Sequence, residues 1–123
     1  AGDLAFIVHD PREPGQRYVV TAIAAGSGGL TAAVDTFSGA KGKLLTAYQG
    51  ISRVQTTIGN RSGEAVTYAY VIERDGRVPQ VIQARDVYLA DGDRILVISN
   101  EGSADGFEDG LPAFEQFVRS VGN

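Results

Sequence analysis

The stretch EAVTYAYVIERDGRVPQVIQARDVYLADGDRILVIS, residues 64–99, decides the fold. Asp75-Gly76 and Asp91-Gly92 each separate two apolar runs, and Asp-Gly in that setting is among the strongest hairpin signals. Three consecutive antiparallel strands are therefore expected. In the first, Val66, Tyr68, Tyr70 and Ile72 share one face, while Ala65, Thr67, Ala69 and Val71 share the other. Both faces are at least partly apolar, which predicts cover on both sides of the sheet. In the second strand Pro79 lacks a ladder donor and belongs at its start or at a bulge. Val81, Gln83, Arg85, Val87 and Leu89 then alternate with Gln80, Ile82, Ala84, Asp86 and Tyr88. The third, RILVIS (residues 94–99), is almost continuously apolar and reads as a central, buried strand.

Downstream, Asp105 and Glu108 have the spacing of a capping box. A helix follows that continues or restarts around Pro112, with Leu111, Phe114, Phe117, Val118 and Val121 as its buried stripe. Upstream, residues 4–8 and 17–25 read as strands, the second rich in β-branched residues. Gly26-Ser27-Gly28-Gly29 ends the second, with Ser27 or Thr31 as helix N-cap. Leu30, Val34, Phe37, Leu44, Leu45 and Tyr48 fall near one helical face, Gly39 and Gly42 weaken the middle, and Gly50 is the expected stop. Residues 51–58 alternate as a strand. The expected order is ββαββββα: an α+β domain with an antiparallel sheet of about six strands flanked by helices.

With 123 residues and 43% hydrophobic side chains, the chain makes one domain, residues 1–123, with enough apolar surface for its own core. No run reaches the ~18 apolar residues of a membrane span. Cys is absent, so a disulfide, a thiolate metal site and a thiol nucleophile are all excluded. The first residue is Ala1 rather than Met, so a signal peptide or lipid-bearing Cys would lie upstream. Residues 1–63 carry six basic and four acidic side chains, and residues 64–123 five basic and eleven acidic. Nucleic-acid binding requires clustered Lys and Arg, and two Lys do not supply it. The acidic run from Asp86 to Glu115 reads as a solvated face, or as a docking surface for a basic partner.

Catalytic chemistry would have to use His9, the single histidine, and no Gly-x-Ser-x-Gly elbow accompanies it. One His without Cys cannot form a zinc site. The Gly26–Gly29 run lacks the sixth-position Gly and the Lys-Ser/Thr of phosphate loops, and Asp91-Gly92-Asp93 lacks the oxygen count of a calcium loop. Neither a catalytic residue, a cofactor nor a metal is expected. A ligand site, if one exists, falls on Tyr68 and Tyr70, an aromatic wall beneath a helix, with the Gln83 amide orienting a polar group. The plainer reading of these tyrosines is packing beneath that helix.

The Gln-containing strand 80–89, Asp91-Gly92-Asp93, ILVIS, an acidic Phe-containing segment and LPAFEQFVRSV follow one another in a pattern that resembles the PsbP-like fold. The resemblance is to secreted bacterial domains of the LpqN and DcrB lipoprotein type. DLAFIVHDP and RYVVTAIAA leading into a helix are similar to the LpqN-type opening. The family's opening strand, with its Pro and Trp, has no counterpart here, nor does the lipidated Cys. The resemblance implies an extracytoplasmic, non-enzymatic domain, and the leading expectation is a monomer or weak dimer that binds another protein or acts as an accessory subunit. The alternatives are a binder of a small apolar or lipid-like ligand between sheet and helix, and a small hydrolase or isomerase using His9.

Overall fold

The computed structural model describes residues 3–9, 17–24, 29–58, 60–73, 75–92, 94–103 and 106–122. The elements run β1 (Asp3–His9), β2 (Arg17–Ala24), α1 (Gly29–Leu44), β3 (Gln49–Ile58), β4 (Arg61–Ile72), β5 (Gln80–Asp91), β6 (Arg94–Ser103) and α2 (Phe107–Gly122), the order expected from the sequence. Both Asp-Gly turns close hairpins. Gly76 and Gly92 take φ of 73° and 61°, a conformation that a Cβ disfavours, and Pro79 sits just ahead of β5.

All six strands form one antiparallel sheet in the order β1-β2-β6-β5-β4-β3. The apolar β6 is internal, paired to β2 on one side and β5 on the other. The helices lie on opposite faces, which is why both parities of β4 carry apolar residues. On the α1 face, Val34 packs with Val66, Tyr68, Tyr70, Ile82, Tyr88 and Ile95. On the α2 face, Phe114 and Val118 pack with Val20, Val87, Leu89 and Ile98.

Several local expectations are corrected. α1 ends at Leu44 and the chain turns through Ala47, whose φ is 53°, so Gly50 lies in β3 and stops no helix. Leu44 is 82% exposed, whereas Lys41 stands where the Leu30–Val34–Phe37 stripe continues. Leu45 and Tyr48 still pack against the core, from the turn rather than the helix. Thr31 lies inside the first turn of α1 and is not its N-cap; Ser27 and Asp105, the other expected caps, lie outside the described residues. Gly39 and Gly42 do not interrupt α1. α2 is continuous through Pro112: the hydrogen bond it forgoes would go to the carbonyl of Glu108, an exposed residue. Among the described residues, no helix is long and apolar enough to cross a membrane.

Candidate functional site

Beneath α1 the sheet carries a polar cluster set in apolar surroundings. β4 aligns Tyr68 and Tyr70, whose rings stack at 6.2 Å, and Tyr48 stacks on Tyr68 at 5.4 Å. Asp86, on the same face of β5, is 1% exposed. Lys41 reaches down from α1 to donate to the Tyr68 hydroxyl at 2.8 Å and to form an ion pair with Asp86, while Tyr68 donates to the other Asp86 oxygen at 3.2 Å. The Lys41 ammonium also lies 5.0 Å from the Tyr68 ring centroid, within cation–π range. Tyr70 donates to Glu101 of β6. Nearby, Arg53 of β3 bridges Glu64 of β4 and, at 2.6 Å, Asp35 of α1.

This cluster fastens a helix to a sheet. Burial pushes the Tyr68 phenol well above its ordinary range, and the charges of Asp86 and Glu101 push the same way; Tyr88 is raised by burial and then by Asp86. Such phenols hold their protons and serve as donors, the reverse of what a general base requires. Hydrogen bonds to Glu64 and then Asp35 raise the already high Arg53 pKa further. The Tyr88 hydroxyl, buried against Phe37 at 6.4 Å between ring centroids, has no hydrogen-bond partner among the described residues.

Of the sequence-predicted site residues, the structure brings Tyr68 and Tyr70 together and sends Gln83 to the other face, since Gln83 shares its parity with Arg85 and Val87 rather than with Asp86. The Tyr68 and Tyr70 rings are buried in the core cluster packed against α1. Asp86 also leaves the acidic surface it was assigned to: it is a buried counter-ion, while Glu108, Asp109 and Glu115 are exposed on α2. The parity of β5 carried that signal, because Asp86 alternates in phase with Ile82, Ala84 and Tyr88. His9 ends β1, its backbone paired with Arg17; its side chain lies outside the described residues, as do Gly26–Gly28.

A groove opens on the α2 face. There α2 packs on β5 and β6 and also reaches β3, and between it and the sheet lies this groove of about 430 Å³. Ala65, Val87, Phe114 and Val118 line it with apolar surface, and Arg85, Glu115 and Arg119 bring charge. β3 forms its outer lip and is itself a sheet edge, exposed along nearly its whole length, with Val54 58% exposed.

The chain has a fold that recurs in solved structures. Over 97% of its length it superposes on a protein of unknown function from Pseudomonas aeruginosa, PA94, with TM-score 0.76 and 15% identity, covering 81% of that chain. It also superposes on CyanoP, the cyanobacterial PsbP of Synechocystis, with TM-score 0.61 and 11% identity, over 94% of this chain and 71% of the other. The fold is PsbP-like. No family model matches the chain, and no curated protein matches it in sequence.

Proposed function

We propose that this PsbP-like domain is a non-catalytic interaction module of the cell envelope that takes an extended segment of a partner protein along β3. The observation that carries the reading is the state of that edge. After a bulge at Ile51, residues 52–58 pair with β4 without interruption, and no strand of the described residues pairs with their outer side. Edge strands are ordinarily blunted by Lys, Pro, shortness or a cover. Here the seven residues contain neither Lys nor Pro, and their single charge, Arg53, is drawn onto the α1 face by Asp35 and Glu64. An added strand would gain main-chain hydrogen bonds from β3 and side-chain specificity from the adjoining groove. The extracytoplasmic placement, the kinship with LpqN- and DcrB-type lipoproteins and a lipid anchor upstream belong to the same reading. They are supported by the sequence pattern and by the PsbP-like fold.

The test uses immobilised domain presented with detergent-solubilised envelope of the source organism, with soluble domain as competitor and a Val54→Lys/Thr56→Lys variant in parallel. One competable protein, lost from the variant, is the expected result. Capture that the variant leaves unchanged would move the docking surface elsewhere, and no capture by a folded domain would count against an interaction module. Gel filtration of both forms distinguishes the remaining occupant: a dimer that only the unsubstituted domain forms would make a second copy the added strand.

A further inference from the structure

We propose that the groove between β3 and α2 is a binding site for a small amphipathic carboxylate, its head on Arg85 and its apolar body along Val87, Phe114 and Val118. This goes beyond docking of a polypeptide on the β3 edge: it gives the adjoining groove a small-molecule ligand held by side chains of the sheet face and α2.

The inference starts from an underused guanidinium. Arg85 lies on β5 directly opposite Thr67 of β4 and is only 25% exposed. Its Nε donates to the Thr67 hydroxyl at 3.0 Å, which holds the head group against the sheet. The nearest carboxylate oxygen, on Glu115, is 3.8 Å from Nη1, beyond hydrogen-bond range. Of the five N–H donors of an arginine, one is therefore used, and the other four sit on a group largely withdrawn from water. Such a fork is matched by an acceptor with two oxygens in one plane, and a carboxylate is that acceptor.

The surroundings select the rest of the ligand. Ala65, Val87, Phe114 and Val118 offer aliphatic and aromatic surface beside the guanidinium, so a hydrated inorganic anion would leave most of the wall uncovered. Arg119 follows Glu115 by one helical turn, which makes the groove net positive in a chain of formal charge −4. The volume, about 430 Å³, is that of a small-ligand cleft. Glu115, 56% exposed on the rim, is the one like charge an incoming carboxylate meets, and it can swing to water.

The experiment titrates the 15N-labelled chain with sodium decanoate, with 1-decanol and with inorganic phosphate, and follows backbone amides and the Arg Nε–Hε resonances. Decanoate is expected to shift Thr67, Arg85, Phe114 and Val118 and to bind at least tenfold more tightly than decanol, with phosphate weaker still. Arg85→Gln is expected to abolish the preference of decanoate over decanol, a loss of about tenfold or more for a charge-assisted hydrogen-bonded pair. Glu115→Gln, at an exposed position that does not threaten folding, is expected to tighten decanoate about two- to fivefold and leave decanol unchanged. Equal binding of decanol and decanoate, shifts confined to the α1 face, or no decanoate binding would each overturn the proposal. So would a Glu115→Gln domain that binds decanoate no better. Val54 and Thr56 also line the groove, so the Val54→Lys/Thr56→Lys domain is titrated with decanoate as well: capture lost with decanoate binding retained assigns the partner to the β3 edge, independently of the groove.

Discussion

Replacing Lys41 by Met should destabilise the domain by about 3 kcal/mol, because it strands a carboxylate that the fold has removed from water. Asp86 is 1% exposed and is held by Lys41 and by the Tyr68 hydroxyl at 3.2 Å. Breaking a buried ion pair by removing one partner costs roughly 3–5 kcal/mol, most of it the uncompensated charge left behind. The Tyr68 hydrogen bond survives the substitution and a Met stem fills much of the Lys space, which places the expectation at the lower end. At roughly 2.1 cal/mol/K of unfolding entropy per residue, 123 residues lose about 4 °C of Tm per kcal/mol, so Tm should fall by about 12 °C. The companion Asp86→Asn is milder, about 1–2 kcal/mol, since Lys41 is 29% exposed and its ammonium can turn to solvent. The double variant Lys41→Met/Asp86→Asn removes both charges together and should lie within about 2 kcal/mol of the unsubstituted domain, the residual being a buried amide with Tyr68 as its remaining partner. Urea denaturation of all four proteins gives the coupling directly. A Lys41→Met cost under about 1 kcal/mol, or a double variant no better than the sum of the singles, would refute the view that Asp86 is a buried charge dependent on Lys41.

Other perturbations test the packing and the protonation states. Gly63→Ala should cost about 1–3 kcal/mol by urea midpoint, because its Cβ would stand 2.7 Å from both the Tyr88 carbonyl oxygen and Leu89 Cδ2, and the first is backbone. Alkaline titration should find Tyr68 and Tyr88, two of the five tyrosines, protonated until the domain unfolds. Their folded pKa values lie above the unfolded one, so the native state keeps protons that the unfolded chain loses. Stability is then whole below about pH 10 and falls above it by up to about 2.7 kcal/mol per pH unit for the two together. The measurement is tyrosinate absorbance at 295 nm beside far-UV circular dichroism; ionisation of all five before the secondary structure is lost would contradict it.

The element order and the pairing of the meander were legible in the chain because their causes are local. A Gly after an Asp can adopt φ of 73° at Gly76 and 61° at Gly92, and each lies in the connection between two paired strands. Parity along β4 was equally local: with both faces apolar, a helix on each side was the solution that buries them. The end of α1 was not legible, since Leu44, Leu45 and Tyr48 continue a helical period that the chain abandons in order to turn back into β3. Lys41 shows the same limit from the other side. Its charge argues for solvent, and only the Asp86 carboxylate and the Tyr68 ring beneath it make burial of its stem favourable.

Residue types and their period thus determined the α+β class, a central RILVIS strand and tyrosines beneath a helix, because backbone conformation and hydrophobic alternation are decided within a few residues. Which groups meet was decided only in three dimensions. Asp86 finds Lys41 across 45 positions and Arg85 finds Thr67 across 18, while Gln83 parts from the tyrosines because neighbours of opposite parity face opposite helices. The groove exists because one helix, α2, lies on a six-stranded sheet and does not fill the space between itself and β3. That is a relation between the width of a sheet and the place where one helix lies on it, and no short stretch of sequence contains both.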